Sequence, residues 1–217
     1  MNIAVLGTGV VGRTVAARLA ELGHRVTIGT RDPAATLART EYADWAAGHP
    51  DVRLATFADA AAGAGLVVNA SSGAASIEVL GLAGADHLTD TVLLDISNPL
   101  DFSAGMPPTL FVKDTDSLAE QIQRAFPGAR VVKALNTLTA ELMVRPGTLP
   151  EGSTVFVSGD DADAKAEVTA LLTELGHTDV IDLGDLSTAR GTEMLLPLWL
   201  RLMGALGTAT FNVKVVR

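Results

Sequence analysis

Residues 3–12 read IAVLGTGVVG: four apolar residues, then Gly7, Gly9 and Gly12 packed into a short turn. Beyond the turn, Val15, Ala16, Leu19 and Leu22 recur at the spacing of one helix face. The order is strand, turn, helix. Such a turn aims unpaired backbone N–H groups and the positive end of a helix dipole at one point in space. That point suits a pyrophosphate. Thr8, Val10 and Val11 complete the turn, with backbone N–H groups and the Thr8 hydroxyl available to phosphate oxygens.

Working outward, β-rich runs alternate with helical patterns as far as residue 183, which predicts an α/β protein built on a Rossmann-type, doubly wound parallel sheet. Strands are expected at Ile3–Leu6, Arg25–Gly29, Val52–Thr56, Leu66–Ala70, Val92–Ile96, Val131–Leu135, Thr154–Ser158 and Val180–Leu183. The phrase ELGH closes a helix twice, at Glu21–His24 and Glu174–His177, with Gly23 and Gly176 in the position that favours a left-handed residue. This reads as shared helix-to-strand grammar rather than a repeat. Pro146, Gly147, Pro150 and Gly152 break the rhythm and divide residues 1–150, a dinucleotide-binding domain, from 151–217, a smaller C-terminal α/β extension. That extension ends in a helix apolar nearly all round, from Leu195 through Trp199 to Leu206. A helix without a wet face is expected to be buried, inside the chain or against a second copy in a homodimer.

The absence of cysteine excludes thiolate catalysis, disulfides and iron–sulfur ligation, so redox chemistry must come from a bound cofactor. The net charge of −9, with no basic stripe, argues against nucleic acid and anionic membranes as partners. The apolar late stretch contains Pro197 and Arg201 and falls short of a bilayer span. The chain enters its first strand without a charged and apolar leader, and the expectation is a cytoplasmic protein.

At the end of the second strand, Thr30 and Arg31 stand about where an NAD enzyme places an acid on the ribose. A hydroxyl and a guanidinium suit the 2′-phosphate of NADP. Asp32, followed by Pro33, reads as a helix N-cap. Asn69, Ala70, Ser71 and Ser72 follow the fourth strand and Asn98 the fifth, all at the sheet edge where a ligand would lie, and Ala134 ends the same candidate set on the sixth. Lys133 could act as a base or pair with a carboxylate. No histidine follows any of the first six strands, no spacing suggests a metal site, and no catalytic acid or base is assigned.

Taken together, AVLGTGVVG, GTRD, DISNPLDF, TDSLAEQIQRAFP, VVKALNT, FVSGDDADAK and DLGDLSTAR resemble the coenzyme F420-dependent NADP oxidoreductases. RVVKALNT and VFVSGDD are also similar to the NADPH domain of the six-transmembrane metalloreductases. The resemblance implies NADP held by the Thr8–Val11 turn and by Thr30 and Arg31, and hydride exchange with a stacked deazaflavin (F420) or flavin. Asn136 departs from the histidine that archaeal members carry before the motif threonine. Two alternatives stay open: a 3-hydroxyacid or imine dehydrogenase using Lys133, and a non-catalytic NADP(H) sensor.

Overall fold

The computed structural model describes residues 1–217 throughout. Its strands are β1 (Asn2–Leu6), β2 (Arg25–Thr30), β3 (Val52–Thr56), β4 (Leu66–Asn69), β5 (Val92–Asp95), β6 (Leu100–Asp101), β7 (Thr109–Leu110), β8 (Arg130–Ala134), β9 (Thr154–Gly159) and β10 (Asp179–Asp182). The helices are α1 (Val10–Glu21), α2 (Pro33–Leu37), α3 (Thr40–Ala47), α4 (Phe57–Ala61), α5 (Ser76–Ala83), α6 (Ala85–Leu88), α7 (Leu118–Ala125), α8 (Ala140–Val144), α9 (Ala162–Leu175), α10 (Ala189–Met194) and α11 (Leu196–Leu206).

Eight strands form one sheet in the order β10-β9-β8-β5-β4-β1-β2-β3. The six from β3 to β8 are parallel, and the order reverses at β1, between β2 and β4. This is the doubly wound arrangement, and it opens a crevice at the carboxyl ends of β1 and β4. The central strands are buried on both faces, as parallel strands under helices must be. On one face Val5, Val68 and Val132 pack with α1, α8 and α9. On the other, Leu6, Val67 and Leu93 pack with α4, α5 and α7.

Beyond residue 150 the sheet continues. β9 runs antiparallel to β8, and β10 pairs parallel with β9. The α8 connection returns the chain alongside β8 without the crossover that a parallel neighbour would need. Both ELGH phrases close as anticipated: Gly23 and Gly176 have φ of +87° and +106°, and the N–H of the following histidine donates to the carbonyl of Leu19 or Leu172.

Of the two ways expected to bury α11, burial inside the chain is not realised. Within the chain α11 is not buried on all sides: Leu196 is buried, but Leu198 and Leu206 are 53% and 56% exposed. Both sheet faces are already covered, and α11 lies against α10 and the C-terminal tail, where Trp199 stacks on Phe211 with ring centroids 5.2 Å apart. A short antiparallel ribbon, β6 with β7, is a second departure. It interrupts the β5-to-α7 connection and stands over the crevice.

Candidate active site

The glycine turn divides its labour. A methyl group at Gly7 would stand 2.6 Å from the Ala70 carbonyl oxygen, and one at Gly12 2.1 Å from the Gly7 carbonyl oxygen. These two glycines let strand, turn and helix pack against each other, and Gly7 also holds φ of +137°. Gly9 is different. A Cβ there would meet nothing within 4 Å. Gly9 caps α1 without any side-chain hydrogen bond, and the first turn of α1 carries no acidic residue. The helix N-terminus therefore faces open space with its N–H groups and dipole uncompensated, the geometry of an anion cradle.

At the end of β2, the Thr30 hydroxyl is buried and bonded to the Thr36 hydroxyl at 2.8 Å. Arg31 is two-thirds exposed and pairs with Glu78 of α5 at 2.6 Å. Asp32 caps α2, accepting from the Ala35 N–H at 2.9 Å. A residue that the sequence reading passed over joins them. The chain breaks between α2 and α3, and Arg39 folds back so that its guanidinium donates to the Thr8 hydroxyl at 2.9 Å. Arg39 thus sits on the glycine turn, and Arg31 follows the end of β2, whose Gly29 carbonyl accepts from the Gly7 N–H of that turn. The only local signal for Arg39 is the shortness of α2.

Val11, Ala70, Ser71, Ser72 and Asn98 line a cavity of about 360 Å³ at the carboxyl ends of the central strands, together with Ile96, Leu100, Phe102, Leu138 and Met143. Asn69 and Ala134 are buried and do not line it. The Asn69 amide is fully buried, donating to Asp95 at 2.9 Å and Ser76 at 3.0 Å while accepting from the Ser71 hydroxyl at 2.7 Å. Asn98 and Asn136 clasp each other: the Asn98 amide donates to the Asn136 carbonyl at 2.8 Å, and the Asn136 amide to the Asn98 side-chain oxygen at 3.0 Å. Asn136 also donates to the Thr192 carbonyl at 3.1 Å, tying α10 to the cavity floor. The residue before it, Leu135, holds φ of +60°, an unusual conformation for a branched side chain at the turn that aims Asn136.

Lys133 is fully buried and has a complete set of partners. Its ammonium reaches Asp95 at 2.7 Å, Glu193 at 2.9 Å and the Ser97 carbonyl at 2.6 Å, one acceptor for each of its three protons. Glu193 in turn accepts from the backbone N–H groups of Leu118 and Ala119 at the start of α7. Burial alone would lower the lysine pKa. Asp95 and Glu193 together outweigh it, and the pKa is raised. A lysine kept charged and saturated in this way is a poor general base. None of the four histidines lines the cavity, and His177 is buried elsewhere, against the Met143 carbonyl at 2.9 Å.

The family described as coenzyme F420-dependent NADP oxidoreductase matches residues 2–99. The F420-dependent NADP reductase of Methanothermobacter thermautotrophicus is 31% identical, over 93% of this chain and 89% of that protein. The chain belongs to this family of NADP oxidoreductases. A crystal structure from Arthrobacter sp. FB24, solved as a candidate F420-dependent NADP-reductase, has 65% identity, full coverage of both chains and a TM-score of 0.98. The rat metalloreductase STEAP3 is 29% identical over 91% of this chain, which spans only 38% of STEAP3's length. No helix here is long and apolar enough to cross a membrane. Family membership agrees with a glycine turn whose middle glycine is left open by the protein's own packing.

Proposed function

We propose that the protein passes hydride between NADP(H) and a deazaflavin or flavin, with the pyrophosphate on the Gly9 turn and the nicotinamide in the cavity lined by Ala70, Ser71 and Asn98. The observation that carries this reading is the absence of a free acid or base in the cavity wall: Lys133 is saturated by Asp95, Glu193 and Ser97, and no histidine is present. When bound, NADPH would supply a hydride from nicotinamide C4 to the acceptor ring, with solvent as the source of the accompanying proton. Reaction between two rings asks the protein for orientation and exclusion of water. The Asn98–Asn136 clasp fixes the polar edge of the cavity, and Leu138 and Met143 supply an apolar side. Arg31 and Arg39 are the groups offered to a 2′-phosphate; the Thr30 hydroxyl, expected to share that role, is buried and bonded to Thr36 instead.

Lysine-dependent dehydrogenation of hydroxyacids or imines loses support, because Lys133 does not line the cavity. A homodimer is also proposed, supported by the exposed leucines of α11, and light scattering on the purified protein tests it. The central test is stopped-flow mixing of NADPH with F420, FMN and FAD. Reduction of at least one chromophore within single-turnover time is expected. Tight NADPH binding with none reduced would leave the protein a sensor.

A further inference from the structure

A second compartment adjoins the nicotinamide cavity. It is a groove of about 610 Å³ between α5 and the β6–β7 ribbon, and it shares Gly73, Ala74, Leu100 and Phe102 with the first cavity. Its outer part is lined by Ile77 and Phe111, which with Phe102 are among the large apolar side chains exposed to solvent. Apolar side chains exposed together beside a site mark a place where another apolar surface sits. Of the nine residues lining the groove, one is charged, and it is an acid, Asp101. The Ser103 N–H, donating at 2.8 Å, holds its carboxyl below the ordinary range, so it is ionised at neutral pH.

Of the cations near it, Arg124 pairs with Asp116 and Arg190 with Glu120, and Arg31 is the residue offered above to the 2′-phosphate of NADP. Lys113, two residues beyond Phe111, is exposed and makes no ion pair, but it does not line the groove. The groove thus offers faces for a planar ring and no cation among its walls for a phosphate.

Resting on the hydride-transfer reading above, we propose that the acceptor is held by its uncharged ring system in this groove and that its phosphate is not recognised. Riboflavin, which has the ring of FMN without the phosphate, is then used at least as well as FMN.

Two measurements test this. In steady state with NADPH, kcat/KM for riboflavin should equal or exceed that for FMN, and Asp101→Lys should shift the ratio toward FMN by about fivefold or more. A wild-type ratio that favours FMN overturns the proposal. In the second measurement, riboflavin fluorescence is titrated with protein saturated by NADP⁺, which cannot donate hydride. Phe111 lines the groove and not the nicotinamide cavity, so Phe111→Ala should weaken riboflavin about fivefold or more while NADPH affinity holds. Unchanged riboflavin affinity overturns the proposal, and circular dichroism with Ile77→Ser as a second variant guards against misfolding. Riboflavin bound through Phe111 with no flavin or deazaflavin ever reduced would reject hydride transfer and leave the groove's chemistry standing. Hydride transfer with FMN preferred would do the reverse.

Discussion

Replacing Lys133 by methionine keeps most of the apolar stem and deletes the charge, which separates stability from chemistry. Asp95 and Glu193, both fully buried, would be left without their shared cation. Removing one partner of a buried pair costs about 3 to 5 kcal/mol, because the remaining charge stays out of water. Two carboxylates lose a partner here, but the loss should not double. Asp95 still accepts from Asn69, from the Ser97 N–H and from the Ser97 hydroxyl, and Glu193 from two N–H groups at the start of α7. A loss of about 3 to 5 kcal/mol is a large part of the stability of a domain. In a chain of this length it corresponds to a fall in Tm of about 6 to 20 °C.

The alkaline limb supplies a second readout. The lysine pKa is raised by folding, so its contribution is complete below the unfolded value of about 10.4 and is lost as pH rises through the higher folded value. That part of the alkaline slope should vanish in Lys133→Met. Urea unfolding at pH 7 and pH 10.5 measures both effects. The single-turnover hydride rate of the folded variant should fall less than about tenfold, whereas loss of a general acid or base typically costs about 10² to 10⁴. A variant as stable as the parent would refute the buried-charge argument. A rate loss in the larger range with NADPH affinity intact would refute ring-to-ring transfer.

Arg31→Ala should weaken NADPH by about tenfold to a hundredfold and leave NADH nearly unchanged, since charge-assisted hydrogen bonds are worth about 1.5 to 3 kcal/mol. Arg39→Ala should act in the same direction. Calorimetry with both cofactors decides, and equal weakening of the two would remove these arginines from the 2′-phosphate. Gly9→Val should fold normally and lose dinucleotide binding, because only a ligand contests the space above Gly9; Gly12→Ala, 2.1 Å from a backbone oxygen, should fail at the level of folding. For His177, burial lowers the pKa and the Met143 carbonyl offsets it only in part. Folded protein then binds fewer protons than unfolded, so stability should decline as pH falls below about 6.5 toward the folded value. His177→Asn should flatten that decline in urea midpoints taken between pH 7.5 and 5.5.

What the sequence revealed about the site follows from how far apart the interacting residues lie along the chain. The glycine turn and the Asp32 cap are read within a few residues, because the groups that need each other are chain neighbours. Doubly wound order follows from the same local alternation, since right-handed crossovers leave few other ways to lay six parallel strands. Arg39 carries no local signal of this contact because its partner Thr8 lies 31 residues earlier, across α1, β2 and α2, and no period links them. Lys133 was legible as a residue and not as a triad: Asp95 comes from β5 and Glu193 from α10, after the Pro146–Gly152 break that suggested a separate domain. The sheet runs through the break because β9 pairs with β8 and α9 packs into the same core, and the triad adds a charge requirement that ties in α10. A buried lysine needs compensating charge, and Glu193 supplies it from the C-terminal segment while also satisfying the first N–H groups of α7. The C-terminal segment is therefore held to the core by an electrostatic requirement of β8. Releasing Glu193 would expose unpaired charge on both sides at once, which binds α10 and the Asn136–Thr192 contact to the floor of the site.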